Sequence, residues 1–140
     1  FRNWAMPPRY VQADAPFVEM RPTWAEIRGD VLYVSHDHRT YAKSSKGSNA
    51  YVSAIDVNTG ALLWRSAPLV SNTRNFLIRD GYILTGYGFT AEKDFLVMLD
   101  QSTGKEVWRK KIVSGPDWLL EKDGVLYVRT YNTDYEFTLR

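Results

Sequence analysis

The block Asp56-Val57-Asn58-Thr59-Gly60-Ala61-Leu62-Leu63-Trp64 returns forty-four residues later as Asp100-Gln101-Ser102-Thr103-Gly104-Lys105-Glu106-Val107-Trp108. The chain is therefore built of repeats. A period of about 40–45 residues with one Gly turn and one Trp per unit is that of four-stranded β-propeller blades, which makes the expected fold class all-β. Architecture follows from the repeat, but chemistry does not, because propellers carry many unrelated functions on one scaffold.

What precedes each block extends the register. Trp24-Ala25-Glu26-Ile27-Arg28-Gly29-Asp30, Asn75-Phe76-Leu77-Ile78-Arg79-Asp80-Gly81 and Trp118-Leu119-Leu120-Glu121-Lys122-Asp123-Gly124 align, and each runs into a strand at 31–34, 82–85 and 125–128. Those strands are rich in β-branched and aromatic residues, which fit a pleated surface. The Gly-Asp and Asp-Gly pairs before them tolerate the positive φ of short hairpins. Third strands are expected at 51–56, 95–100 and 135–140, and fourth strands at 61–65 and 105–110. The organisation is thus an N-terminal segment, 1–22, followed by repeats over 23–140 in blades of approximately 23–66, 73–111 and 117–140. The third unit shows no fourth strand. Phe1-Arg2-Asn3-Trp4-Ala5-Met6-Pro7 resembles the register of Leu62-Leu63-Trp64-Arg65-Ser66-Ala67-Pro68, so the N-terminal segment is the candidate to complete that blade, in its own chain or a neighbour's.

At 140 residues and 16.2 kDa, about three blades cannot close a ring, and open sheet edges invite pairing. The expectation is that missing blades come from the same longer protein or from a second copy, and the initial Phe1 points to processing or truncation. A net charge of +2 is too small to indicate nucleic-acid binding. With no cysteine there is no disulfide, thiolate metal site or Cys nucleophile. No apolar run reaches the roughly 18 residues a membrane-spanning helix requires.

The pattern resembles the PQQ-like propeller family, also called the quinoprotein or tryptophan-docking repeat family. Ala54-x-Asp56-x-x-Thr59-Gly60-x-x-x-Trp64 matches its docking motif, and Met98-x-Asp100-x-x-Thr103-Gly104-Lys105-x-x-Trp108 departs at the first position. The resemblance covers residues 24–140 and implies that Trp64 and Trp108 are structural, each buried against a neighbouring blade's turn, with Gly60 and Gly104 shaping the turns. It does not carry over the family's dehydrogenase chemistry. The enzymes that bind pyrroloquinoline quinone close a vicinal disulfide against it and hold calcium with Glu, Asn and Asp; no cysteine and no matching ligand constellation stands here, and no cofactor is expected. Many members are non-catalytic, among them outer-membrane assembly lipoproteins. The resemblance implies a non-enzymatic binding or scaffolding module for a protein or other ligand, in the periplasm or secreted. The alternative is part of an enzyme, a degenerate quinoprotein dehydrogenase or a hydrolase, with its active site outside these residues.

Local patterns refine this reading. Gly86-Tyr87-Gly88-Phe89-Thr90-Ala91 fits the G-x-G-x-x-A dinucleotide fingerprint on paper, but a strand rather than a helix follows, so no helix N-terminus is there to meet a pyrophosphate. It reads as a glycine-permissive loop. His36 and His38 are the only histidines, spaced to project to one face of an extended segment as a metal or acid/base pair needs. They open a polar loop, 39–49, and fall short of a zinc signature; the expectation is a solvated loop and no metal site. Lys105, Arg109, Lys110 and Lys111 read as a solvated outer edge, where Lys discourages aggregation. Aromatic residues at or beside the loops after the second strands carry the functional hint. Tyr87, Phe89, Arg129, Tyr131 and Asn132 are the candidate ligand-binding residues, in a combination that suits peptide or sugar recognition; interblade packing explains the same aromatics.

Overall fold

In the computed structural model residues 20–38 and 41–139 are described. They hold eleven strands: β1 (Arg21–Arg28), β2 (Val31–Asp37), β3 (Tyr51–Asp56), β4 (Leu62–Arg65), β5 (Leu77–Arg79), β6 (Tyr82–Tyr87), β7 (Asp94–Asp100), β8 (Glu106–Ile112), β9 (Pro116–Lys122), β10 (Val125–Thr130) and β11 (Asp134–Thr138). Consecutive strands pair antiparallel into three sheets, β1-β2-β3-β4, β5-β6-β7-β8 and β9-β10-β11. The fold is all-β, built of propeller blades. No helix among the described residues is long and apolar enough to cross a membrane. The expected blade-closing strand, at Phe1–Pro7 of the N-terminal segment 1–22, lies outside the described residues.

Turn chemistry sets the register. Arg28 pairs with Val31, Arg79 with Tyr82 and Lys122 with Val125. At Asp80-Gly81 and Asp123-Gly124 both residues have positive φ, the hairpin geometry that matches strand twist. The second turn explains the repeated motif. Asp56 Oδ1 accepts from the backbone N–H of Asn58 and Thr59 and from the Thr59 hydroxyl, at 2.9, 2.8 and 3.0 Å. Asp100 Oδ1 does the same with Ser102 N, Thr103 N and Thr103 Oγ1, at 3.0, 2.9 and 2.9 Å. These bonds favour the ionised carboxylates and lower both pKa values. Gly60 and Gly104 follow at φ +71° and +69°, where a side chain is strained. Past the turn, Ala54 pairs with Trp64 but Ile55 with Leu62, and Met98 with Trp108 but Leu99 with Glu106. One extra residue bulges in each outer strand and re-aims it beside the Trp.

In the third blade Thr138 pairs with Val125, where Asp56 and Asp100 pair with Val31 and Tyr82. The third strand expected at 135–140 therefore ends at Thr138, and its register places Thr where the turn-forming Asp stands in the other blades.

The sheets stack face to face. Tyr33, Val52, Ala54, Phe76, Ile83, Val97 and Leu99 form one core between the first two, and Leu84, Leu96, Ile112, Leu119, Leu126 and Val128 form the next. Adjacent Ile83 and Leu84 enter opposite cores, as strand alternation requires. With both faces covered, β7 is a continuous apolar run, Phe95-Leu96-Val97-Met98-Leu99. The leading strands lie side by side. Asn75 Nδ2 donates to Leu119 O at 2.8 Å while Leu119 N donates to Asn75 Oδ1 at 2.9 Å, and Arg79 pairs with Glu121. Alternating strand direction then gathers the short turns at one end. The longer connections, around 38–50, 66–76, 88–93, 113–115 and 131–133, share the other.

The described part of the loop expected to be solvated, 41–49, is folded instead. Asn49 closes it by accepting from His38 N and donating to His38 O, both at 3.0 Å. Ala42 N donates to Glu92 Oε1, and Tyr41 meets Phe89 edge to face with ring centroids 4.6 Å apart. Ser45, Ser48 and Asn49 are buried, leaving Lys43, Ser44 and Lys46 exposed.

Candidate functional site

Two glycines open a groove on the long-loop end. A Cβ on Gly88 would stand 2.3 Å from Gly115 Cα and 2.2 Å from Asp94 Oδ1, so the connections of the second and third blades cross backbone against backbone only because neither residue has a side chain. Asn72 holds the crossing in place: its Nδ2 donates to Gly88 O at 2.7 Å, and Gly88 N donates to its Oδ1 at 3.0 Å. On the far side Ser114 Oγ lies 2.6 Å from Thr130 Oγ1 and 2.7 Å from Asn132 Oδ1.

Two contiguous clefts of about 340 and 680 Å³ share Gly88, Phe89, Gly115 and Tyr131. One reaches Arg74 and Asp117, the other Val113 and Asn132. These volumes fall in the range of small-ligand sites, about 300–1,000 Å³. Tyr131 stands over the groove 96% exposed, and half-buried Phe89 lines it. Carboxylates sit behind. Burial, with Glu92 nearby, holds Asp94 above the usual carboxylate range. Burial, then the hydrogen bond and charge of Glu92, pushes the Tyr87 phenol up, so Tyr87 stays a donor to Glu92.

The arrangement is an open, aromatic-rimmed groove across stacked repeat blades, and the comparisons with known proteins agree on the scaffold. A family model described as outer membrane protein assembly factor BamB matches residues 48–138. The chain belongs to this PQQ-repeat family. Among solved structures it is similar to the computationally designed Ika4 protein, with TM-score 0.56 and 12% identity over 86% of this chain and 67% of that one. It is similar also to the computationally designed Ika8 protein, with TM-score 0.57 and 12% identity over 85% of this chain and 33% of that one. BamB from Moraxella catarrhalis gives TM-score 0.52 and 24% identity over 82% of this chain and 32% of that one. At these identities the likeness shows the fold alone. The chain spans about a third of the length of Ika8 and of BamB. No curated protein matches the sequence.

Within this PQQ-repeat scaffold the structure brings Phe89, Tyr131 and Asn132 to one groove. It does not bring Tyr87 or Arg129 there. Tyr87 ends β6 only 3% exposed, on the strand face that packs toward the first blade, and its register equivalents His36 and Thr130 are buried too. Arg129 lies in an exposed hollow on the third sheet, its Nε and Nη2 on the two carboxylate oxygens of Asp134.

The histidines are interior residues. His36 Nε2 lies 2.8 Å from Ser53 Oγ, the ring stacks on Tyr51 with centroids 5.7 Å apart, and burial, with Arg65 nearby, lowers its pKa to about 3. His38 is buried and shifted down for the same first cause. No group of three His, Cys, Asp or Glu arranged to hold a metal occurs among the described residues.

The two tryptophans differ. The ring of Trp64 covers Gly104, where a Cβ would stand 2.3 Å from Cε3, and Tyr33 packs beside it at 6.0 Å. Trp108, expected to be buried between blades, is 42% exposed. The third sheet has three strands among the described residues, and Thr138 stands where the docking turn would begin. Nothing lies within 4 Å of a Cβ built on Gly60.

The basic edge is less free than its composition suggests. Arg109 donates to both carboxylate oxygens of Glu106 and stacks on Phe95 at 4.7 Å; Lys110 lies 5.5 Å from the Phe137 centroid. Arg65 and Tyr51 repeat the Arg109–Phe95 contact in the first blade, at 5.6 Å. Gly86, read as part of a permissive loop, lies within β6, and a Cβ there would meet Pro116 Cγ at 2.3 Å. Sequence reasoning missed Asn72, Arg74, Gly115 and Asp117, which sit in or beside the linkers between blades. The one local sign was Gly115-Pro116, a turn pair opening β9.

Proposed function

We propose that the chain is a non-enzymatic binding and scaffolding module whose long-loop end takes a protein partner in the groove between the second and third blades. The observation that carries this is the convergence of Phe89, Tyr131 and Asn132 on one open groove held by Asn72, Gly88 and Gly115. Exposed aromatics beside fixed amide and hydroxyl groups are the composition of protein-binding hot spots. The family's description as an outer membrane protein assembly factor supports a partner in that machinery and a periplasmic site of action. Trp64 on Gly104 acts as the docking contact between blades. The exposed Leu120 and Tyr127 of the third sheet pack on a further blade, from a longer chain or a second copy; a solution mass of 16.2 kDa for a well-folded chain at micromolar concentration contradicts that packing.

The test replaces Tyr131, 96% exposed, by Ser in cells that make the protein. Folded outer-membrane protein should fall while the chain's own abundance and melting temperature hold. Unchanged outer-membrane protein levels contradict the reading.

A further inference from the structure

A third cleft, of about 490 Å³, adjoins the groove at the mouth of the leading strands. Trp24 and Trp118 line it from the first and third blades. They occupy the same register position, four residues before the strand ends at Arg28 and Lys122. The second blade has Asn75 there, buried and spent on Leu119. Two indoles, 39% and 46% exposed, therefore flank a floor formed by Asn72, Thr73 and Arg74. Neither belongs to either apolar core.

Arg74 is oriented rather than free. Its Nε donates to Asp117 Oδ1 at 2.7 Å, its backbone N donates to Asp117 O at 2.9 Å, and its guanidinium carbon lies 5.9 Å from the Trp118 ring centroid. The terminal guanidinium nitrogens have no hydrogen-bond partner among the described residues. Asp117 balances the charge and Asp37 adds a carboxylate to the lining, so the cleft is not a trap for phosphate or other strong anions.

A ligand matched to this cleft is uncharged, has a flat apolar face to lie on an indole, and carries hydroxyls at its edge to meet donor and acceptor groups held in place. A pyranose ring has those properties: axial C–H groups on its faces and hydroxyls around its rim. We propose that Trp24, Arg74 and Trp118 form a carbohydrate-binding cleft for a neutral oligosaccharide, with the indoles as platforms and Arg74 hydrogen-bonding the hydroxyls.

The experiment titrates the 140-residue chain with cellotetraose, maltotetraose, chitotetraose and a polyproline peptide, following indole fluorescence and heat. One of the sugars should bind saturably. Trp118→Ala and Arg74→Gln should each weaken it by about tenfold or more, while Lys105→Ala, exposed at the opposite, short-turn end, should leave it unchanged. Arg74 is exposed, so Arg74→Gln should keep the parent melting temperature and gives a folded test even where Trp118→Ala does not. Absence of saturable sugar binding overturns the proposal. So does sugar binding that survives Arg74→Gln, or binding of polyproline in place of the sugars.

Discussion

The ring of Trp64 lies against Gly104, forty residues on, so closely that a Cβ on the glycine would meet Cε3 at 2.3 Å. This contact joins the outer strand of the first blade to the turn of the second. Gly60 has the same positive φ and open space around it, which separates backbone strain from packing. Gly60→Ala should cost about 1–2 kcal/mol, the left-handed penalty alone. Gly104→Ala should cost about 2–4 kcal/mol, because overpacking adds to that penalty. Trp108→Ala, at an exposed position, should cost less than about 1 kcal/mol. Urea titration of the three variants checks the order, and equal losses for the two glycines contradict the docking role.

Asn75 joins the leading strands of the second and third blades through both ends of its amide. Asn75→Leu should strand a buried N–H and a buried C=O on Leu119, at about 1–3 kcal/mol each. Hydrogen exchange at Leu119 should accelerate in step with the loss of stability. An unchanged exchange rate there shows that the amide does not hold the blades.

The turns were legible in the sequence because their chemistry is local. Asp56 and Asp100 satisfy amides two and three residues away, so spacing alone encodes the motif. Trp64 and Gly104 were legible only through the family pattern, since no local rule pairs residues forty apart. The groove was half legible. Phe89, Tyr131 and Asn132 stood out as loop aromatics and amide, but Tyr87, the last residue of β6, has its side chain on the buried face. Asn72 and Gly115 were missed because, although Val70-Ser71 returns as Val113-Ser114, the next residue changes from Asn to Gly, and no local rule pairs either with Gly88. The loop at 41–49 misled by composition: the side chains of Ser45 and Asn49 are spent on backbone groups of Tyr41, Ala42 and His38, and Glu92, fifty residues from Ala42, is visible only in three dimensions.

His36 makes stability pH-dependent. Its folded pKa of about 3 lies below the ordinary 6.5, so the fold favours the neutral ring. That contribution is complete above pH 6.5 and is lost as pH falls from 6.5 toward 3, at up to about 1.4 kcal/mol per pH unit. Asp56 and Asp100, also lowered, lose their contribution only below the ordinary carboxylate range. Above the ordinary carboxylate range the histidines carry the loss on acidification, while Asp94, which the fold holds raised, works in the opposite sense as its carboxylate protonates. His36→Gln, which keeps a polar group facing Ser53, should flatten the slope, with a remainder from His38. Melting temperature against pH measures this, and a slope equal to the parent's excludes His36 as the source.

Purified chain should not retain pyrroloquinoline quinone or reduce an artificial electron acceptor with simple alcohols or aldose sugars. Saturable quinone binding accompanied by dye reduction contradicts the non-enzymatic reading.

The long-loop groove as the partner surface is tested most directly by a photo-crosslinking side chain placed at position 131 in living cells, beside a control at Thr59 on the opposite, short-turn end. The account predicts one discrete adduct from position 131, identified by mass spectrometry as an outer-membrane assembly component, and none from position 59. No adduct from position 131, or the same adduct from both positions, would contradict it.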